Sequence, residues 1–113
     1  MTSTLPTVMP GQAHLVLAED HGLVWLGGDV DLALADDLTR IATQLALVRL
    51  PAVVDATSVV FADSTLINFL AHLAKQGQVT VCNPNSGLRN LLSLTGLDSK
   101  LTVVAAPDSE RPA

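Results

Sequence analysis

The chain contains one cysteine, Cys82. A lone thiol closes no internal disulfide and builds no thiolate metal cluster, so the expected role of Cys82 is that of a small buried residue at the end of a strand. Positive charge is scarce as well. Six lysines and arginines are scattered among eleven acids, for a net charge of −5. No basic stripe exists to neutralise a nucleic-acid backbone or an anionic membrane. No apolar run approaches the roughly 20 residues that span a bilayer, and the opening "MTSTLPTVMPGQ" carries neither the basic nor the apolar segment of a secretory signal. A cytoplasmic protein without nucleic-acid partners or membrane insertion is expected. Catalytic signatures are missing too: there is no G-x-S-x-G elbow, Walker loop, dinucleotide fingerprint or metal-ligand spacing. Neither an enzyme nor a cofactor is expected.

What is present is hydrophobic. Apolar residues make up 49% of the 113 positions and charged residues 15%, a composition that folds without staples into one domain. Its predicted extent is 13–104, between tails at 1–12 and 105–113 that lack periodicity. "HLVLA" (14–18) and "LVWLG" (23–27), joined by the turn-rich "EDHG", predict a hairpin. "GGDVD" (27–31) reads as a Gly-rich turn. Leu34, Leu38, Ile41, Leu45 and Val48 then recur at helical steps, with Asp31 placed to cap the helix they form. "AVVDA" (52–56) is a β-branched run expected of a strand covered on both faces.

From Ser64 to Gln76 the period becomes helical again. Leu66, Ile67, Phe69, Leu70, Leu73 and Ala74 share one face, and Thr65, Asn68, His72, Lys75 and Gln76 the other. Gly77 stands where a left-handed cap belongs. "QVTVC" (78–82) predicts another strand. A short helix follows with Ser86 as its cap, Leu88, Leu91, Leu92 and Leu94 as its apolar stripe, and Gly96 past its end. "LTVV" (101–104) predicts the last strand. Trp25 and the leucines of the third helix read as core. The order of elements predicts an α/β fold whose sheet is mixed, an antiparallel hairpin followed by parallel strands, with three to four helices packed mainly on one face.

The tripeptide Asp63-Ser64-Thr65 stands where a loop enters the second helix. The plainest reading is that Asp63 or Ser64 caps the helix. A nucleophilic role is unsupported: His72 lies eight residues further along the same helix, about 12 Å of rise away, and His14 and His21 belong to the hairpin. In order and spacing, however, "GGDVDLALADDL", "VVDATSVVFADSTLINFL" and "VTVCNPNSGLRNLLSLTGL" together resemble the STAS domain family, and in particular the bacterial anti-sigma factor antagonists. In that family a strand ending in Asp precedes an Asp-Ser-Ser/Thr-Gly-Leu motif at a helix N-terminus. Asp55 matches the strand-terminal acid, and Asp63-Ser64-Thr65 the motif.

The resemblance implies that Ser64 is phosphorylated by a partner that is both anti-sigma factor and serine kinase, with ATP belonging to the kinase. The bare form binds that partner and frees a sigma factor; the phosphorylated form does not, until a serine phosphatase restores it. Partner contacts implied by the resemblance fall on Asp29, Asp31, Asp63, Ser64, Thr65, Asn68 and Asn83. One position departs from the pattern: Leu66 stands where the family has Gly, so either its side chain turns into the core or the helix entry is shifted. The alternative within the same resemblance is a STAS module that is never phosphorylated, such as the cytoplasmic subunit that binds the ATPase of a lipid-transport ABC system.

Overall fold

A computed structural model describes residues 10–105. Most of both predicted tails lies outside the described residues. The order of elements is β1 (Gln12–Leu17), β2 (Gly22–Val30), α1 (Ala35–Val48), β3 (Ala52–Ala62), α2 (Ser64–Gln76), β4 (Val79–Cys82), α3 (Ser86–Leu94) and β5 (Thr102–Val104). Short 3-10 turns at Leu32–Leu34 and Leu97–Ser99 precede α1 and β5. The five strands form one sheet in the order β1-β2-β3-β4-β5. β1 and β2 are antiparallel, and every later pair is parallel. This is the mixed sheet expected from the sequence.

Because strand order never reverses, right-handed crossovers carry α1, α2 and α3 to the same face of the sheet. Burial follows. Val24, Leu26, Val54, Ala56, Val79 and Val81 point into one core with Leu38, Leu45, Leu66, Leu70, Leu88 and Leu92 of the helices. The other face is open, so β3 is not covered on both sides as its continuous apolar run predicted. Val53 and Asp55 are half-buried between the buried Ala52, Val54 and Ala56. Trp25 belongs to the open face too, not to the core. It stands in register with His14 on β1 and Asp55 on β3, its ring 5.7 Å from the His14 ring. Asp55 in turn pairs with the half-buried Cys82.

The first four residues of "GGDVD" are strand rather than turn, and its two glycines have different reasons. At Gly27 an added Cβ would lie 2.4 Å from the Trp25 ring, which rests on this residue. Gly28 has φ 70°, within an irregular register between β2 and β3 from Trp25 to Asp29. A bulge needs this left-handed backbone, which costs glycine little. Periodicity of side chains cannot register either requirement, so the pattern predicts a strand that ends at Gly27 while β2 continues to Val30. β3 likewise outruns its predicted extent, continuing to Ala62 beside β2, which makes Asp55 an interior residue, opposite the end of β4.

The helices match their predicted stripes except at Val48 and Leu94, and Gly77 and Ser86 do not cap as expected. Val48 is 39% exposed at the end of α1, where Arg49 in the left-handed region closes the helix. Leu94 is 82% exposed, about 200° round the helix from the buried Leu92. Gly77 ends α2 with φ 167°, extended backbone rather than a left-handed cap. Ser86 does not cap α3; Asn85 does, accepting from the Leu88 N–H at 2.8 Å. Gly96 takes the left-handed conformation expected past the end of a helix.

Candidate functional site at the start of the second helix

The strand β3 delivers the chain to α2 in one step: Ala62 ends the strand, Asp63 is the N-cap and Ser64 is the first helical residue. Asp63 has the extended backbone of a cap, and its carboxylate accepts from the Thr65 N–H at 2.8 Å. Its own N–H donates to the Val30 carbonyl at 3.4 Å, tying the corner to the end of β2. Ser64 is exposed, while Thr65 and Asp63 are half-buried. Leu66 is fully buried, so its side chain turns into the core and the helix entry is not shifted. Burying such a side chain contributes about 1.5–3 kcal/mol. The corner therefore presents a free-standing hydroxyl on a base anchored two residues later.

Thr65 and Asn68 line a groove of about 360 Å³ between α1 and α2, together with Leu32, Leu38, Phe69 and His72. Asp31 stands at its near end, where its carboxylate accepts from the Ala33 N–H at 3.1 Å. It thus caps the 3-10 turn at Leu32–Leu34 rather than α1 itself. Asp29 is a half-buried strand residue paired with Phe61. These residues converge because β2 and β3 end side by side, with Val30 opposite Ala62.

Asn83 does not join them. Its side chain donates to the Thr57 hydroxyl at 3.3 Å, and Thr57 lies six residues before Asp63, about 20 Å back along the strand. Asp55 is further back still, with its carboxylate accepting from the Thr57 N–H at 3.0 Å.

Charge is distributed unevenly along the helices. Asp36 and Asp37 occupy the first turn of α1, and Asp37 is paired with Arg40. Arg49 and Lys75 lie at the far ends of α1 and α2. Acids at helix N-termini and bases at C-termini suit the helix dipoles, and they leave the Ser64 end acidic. Three apolar side chains are exposed beside these acids: Leu32 at 76%, Phe61 at 53% and Val60 at 58%. Sequence reasoning missed them because Leu32 precedes the helical period and Val60 and Phe61 looked like part of a loop. Among the described residues no group of three or more His, Cys, Asp or Glu side chains is arranged to hold a metal ion, and no helix is long and apolar enough to cross a membrane.

No family model and no curated protein matches the chain. Solved structures do. An anti-sigma factor antagonist from Mycobacterium paratuberculosis superposes with a TM-score of 0.76 at 19% identity, over 88% of this chain and 90% of that one. The anti-sigma factor antagonist SpoIIAA in its unphosphorylated form gives 0.69 at 14%, over 88% and 91%. The phosphorylated form, from Bacillus, gives 0.64 at 15%, over 88% and 95%. With its hairpin, parallel strands and one-sided helices, this chain has the STAS fold found in anti-sigma factor antagonists.

Proposed function

We propose that this protein is an anti-sigma factor antagonist that works by partner switching. In the unmodified state it binds an anti-sigma factor that is also a serine kinase, and a sigma factor is released. Phosphorylation of Ser64 ends that binding, and a serine phosphatase reverses it. The protein acts in the cytoplasm as a binding module and kinase substrate, not as a catalyst. The observation that carries this reading is the contrast between an exposed Ser64 and a fully buried Leu66 two residues on. A phosphate adds a charge of about −1.5 to −2, here at the surface and without disturbing the core. Its immediate neighbour is the Asp63 carboxylate, which already holds the Thr65 N–H. The new dianion therefore stands next to a like charge, and the surface it changes includes Asp29, Asp31, Thr65, Asn68 and the exposed Leu32.

The test is direct. The protein is incubated with ATP and the kinases of its own cells, any phosphate is located by mass spectrometry, and partner capture is compared for Ser64→Ala and Ser64→Asp. Modification at Ser64, with capture kept by alanine and lost by aspartate, supports the switch. The presence of Leu66 where the family has Gly favours a second reading, a STAS module that binds without being phosphorylated. Stable capture of a transporter ATPase, indifferent to both substitutions, would establish that one instead.

A further inference from the structure

We propose that Asn85 is a positioning residue for Ser64, a clasp through which the start of α3 holds the strand that presents the serine. The role rests on reading Ser64 as the switch. The reason for a clasp is the unequal length of the strands. β4 ends at Cys82, opposite Asp55, so from Ala56 to Ala62 β3 has β2 as a ladder partner on one side only. Backbone groups on the other side of this stretch need partners from elsewhere. Asn85 meets two of them. Its side-chain amide donates to the Val59 carbonyl at 3.1 Å and to the Val60 carbonyl at 3.4 Å. Its side-chain oxygen accepts from the Leu88 N–H at 2.8 Å.

One carboxamide thus caps α3 and holds β3 a few residues before Ser64. The two tasks need opposite chemistry, an acceptor for the helix and a donor for the strand. Asparagine carries the two on separate atoms of one carboxamide, so both tasks are met at once. Aspartate would cap as well, but would bring a negative oxygen against two carbonyls. Asn83, in the left-handed conformation tolerated by this residue type, donates to the Thr57 hydroxyl. It holds the same stretch of strand lower down, so the loop after β4 replaces the ladder that β4 is too short to provide.

Hydrogen exchange on the full chain separates the clasp from the cap. In Asn85→Asp the helix cap remains, and amides within 57–64 are expected to exchange at least about tenfold faster, a local opening. Amides of β1, the first half of β2 and the centre of α1 are expected to stay within about twofold of wild type. Asn85→Ser, uncharged and able to cap but too short to reach β3, is expected to give the same local pattern and serves if the aspartate variant fails to fold. Unchanged exchange within 57–64, or faster exchange spread evenly over all elements, would overturn the proposal. Neither readout requires a partner. If Ser64→Asp leaves capture intact while the local pattern appears, the switch reading falls and the positioning role falls with it, leaving Asn85 as a structural tie; capture lost by Ser64→Asp without the local pattern sinks the clasp alone.

Discussion

Helices α2 and α3 begin with the same pattern, an Asx cap, a serine, one intervening residue and a leucine: Asp63-Ser64-Thr65-Leu66 and Asn85-Ser86-Gly87-Leu88. In both, the serine is exposed and the leucine is buried. Their surroundings differ. Asp63 reaches only the Thr65 N–H, so its corner faces outward beside the α1–α2 groove. Asn85 spends its amide on β3 as well as on its own helix. One corner is a presented surface and the other a piece of scaffolding. A serine at a helix start is therefore not by itself a site; what the neighbouring strand and helix leave open around it decides.

The sharpest way to break this contrast is to place a negative charge on each serine. Ser64→Asp is expected to weaken partner capture by about a hundredfold, equivalent to about 2.7 kcal/mol, while Ser86→Asp leaves it within about twofold, both measured by titration of the captured partner. Equal losses would mean that the two corners share one docking surface.

The two leucines come next. Leu66→Ala and Leu88→Ala each remove a fully or almost fully buried side chain, and each is expected to cost about 2–5 kcal/mol in urea unfolding. Leu66→Gly restores the family residue and is expected to cost about 1 kcal/mol more than Leu66→Ala, because glycine also weakens the helix. A milder loss at Leu66 would show that its side chain is not the anchor of the corner.

The caps give the smallest difference. Asp63→Ala is expected to cost about 1 kcal/mol. Asn85→Ala is expected to cost about 1–2 kcal/mol beyond that, since two strand carbonyls lose their donor. Equal costs by thermal or urea unfolding would mean that the strand gains nothing from Asn85.

Much of this arrangement is legible in one dimension. The faces of α2 follow from apolar spacing, and all five leucine, isoleucine and phenylalanine positions assigned to its inner face are buried. The hairpin and the parallel run follow from short connections and from the alternation of strand and helix. What periodicity misreads is informative. "GGDVD" looks like a turn because glycine has no side chain to carry a pattern, yet Gly27 makes room for the Trp25 ring and Gly28 forms the bulge. β3 looks five residues long because "TSVVFA" does not alternate, yet it extends to Ala62 along β2. Trp25 and Val53 look like core residues because an apolar run has no preferred face of its own.

The sequence by itself determined the helices, the hairpin and the serine at the start of α2, because these depend on spacing and on capping chemistry within a few residues. Only the tertiary structure decided how far β2 and β3 run past β4, that Trp25 and Val53 stand on the open face, and that Asn83 meets Thr57 rather than the Ser64 corner. The physical reason is that these outcomes depend on the register and relative lengths of neighbouring strands. Where β4 stops and β3 continues, side chains from a distant loop must complete the hydrogen bonding, and no local pattern records that need.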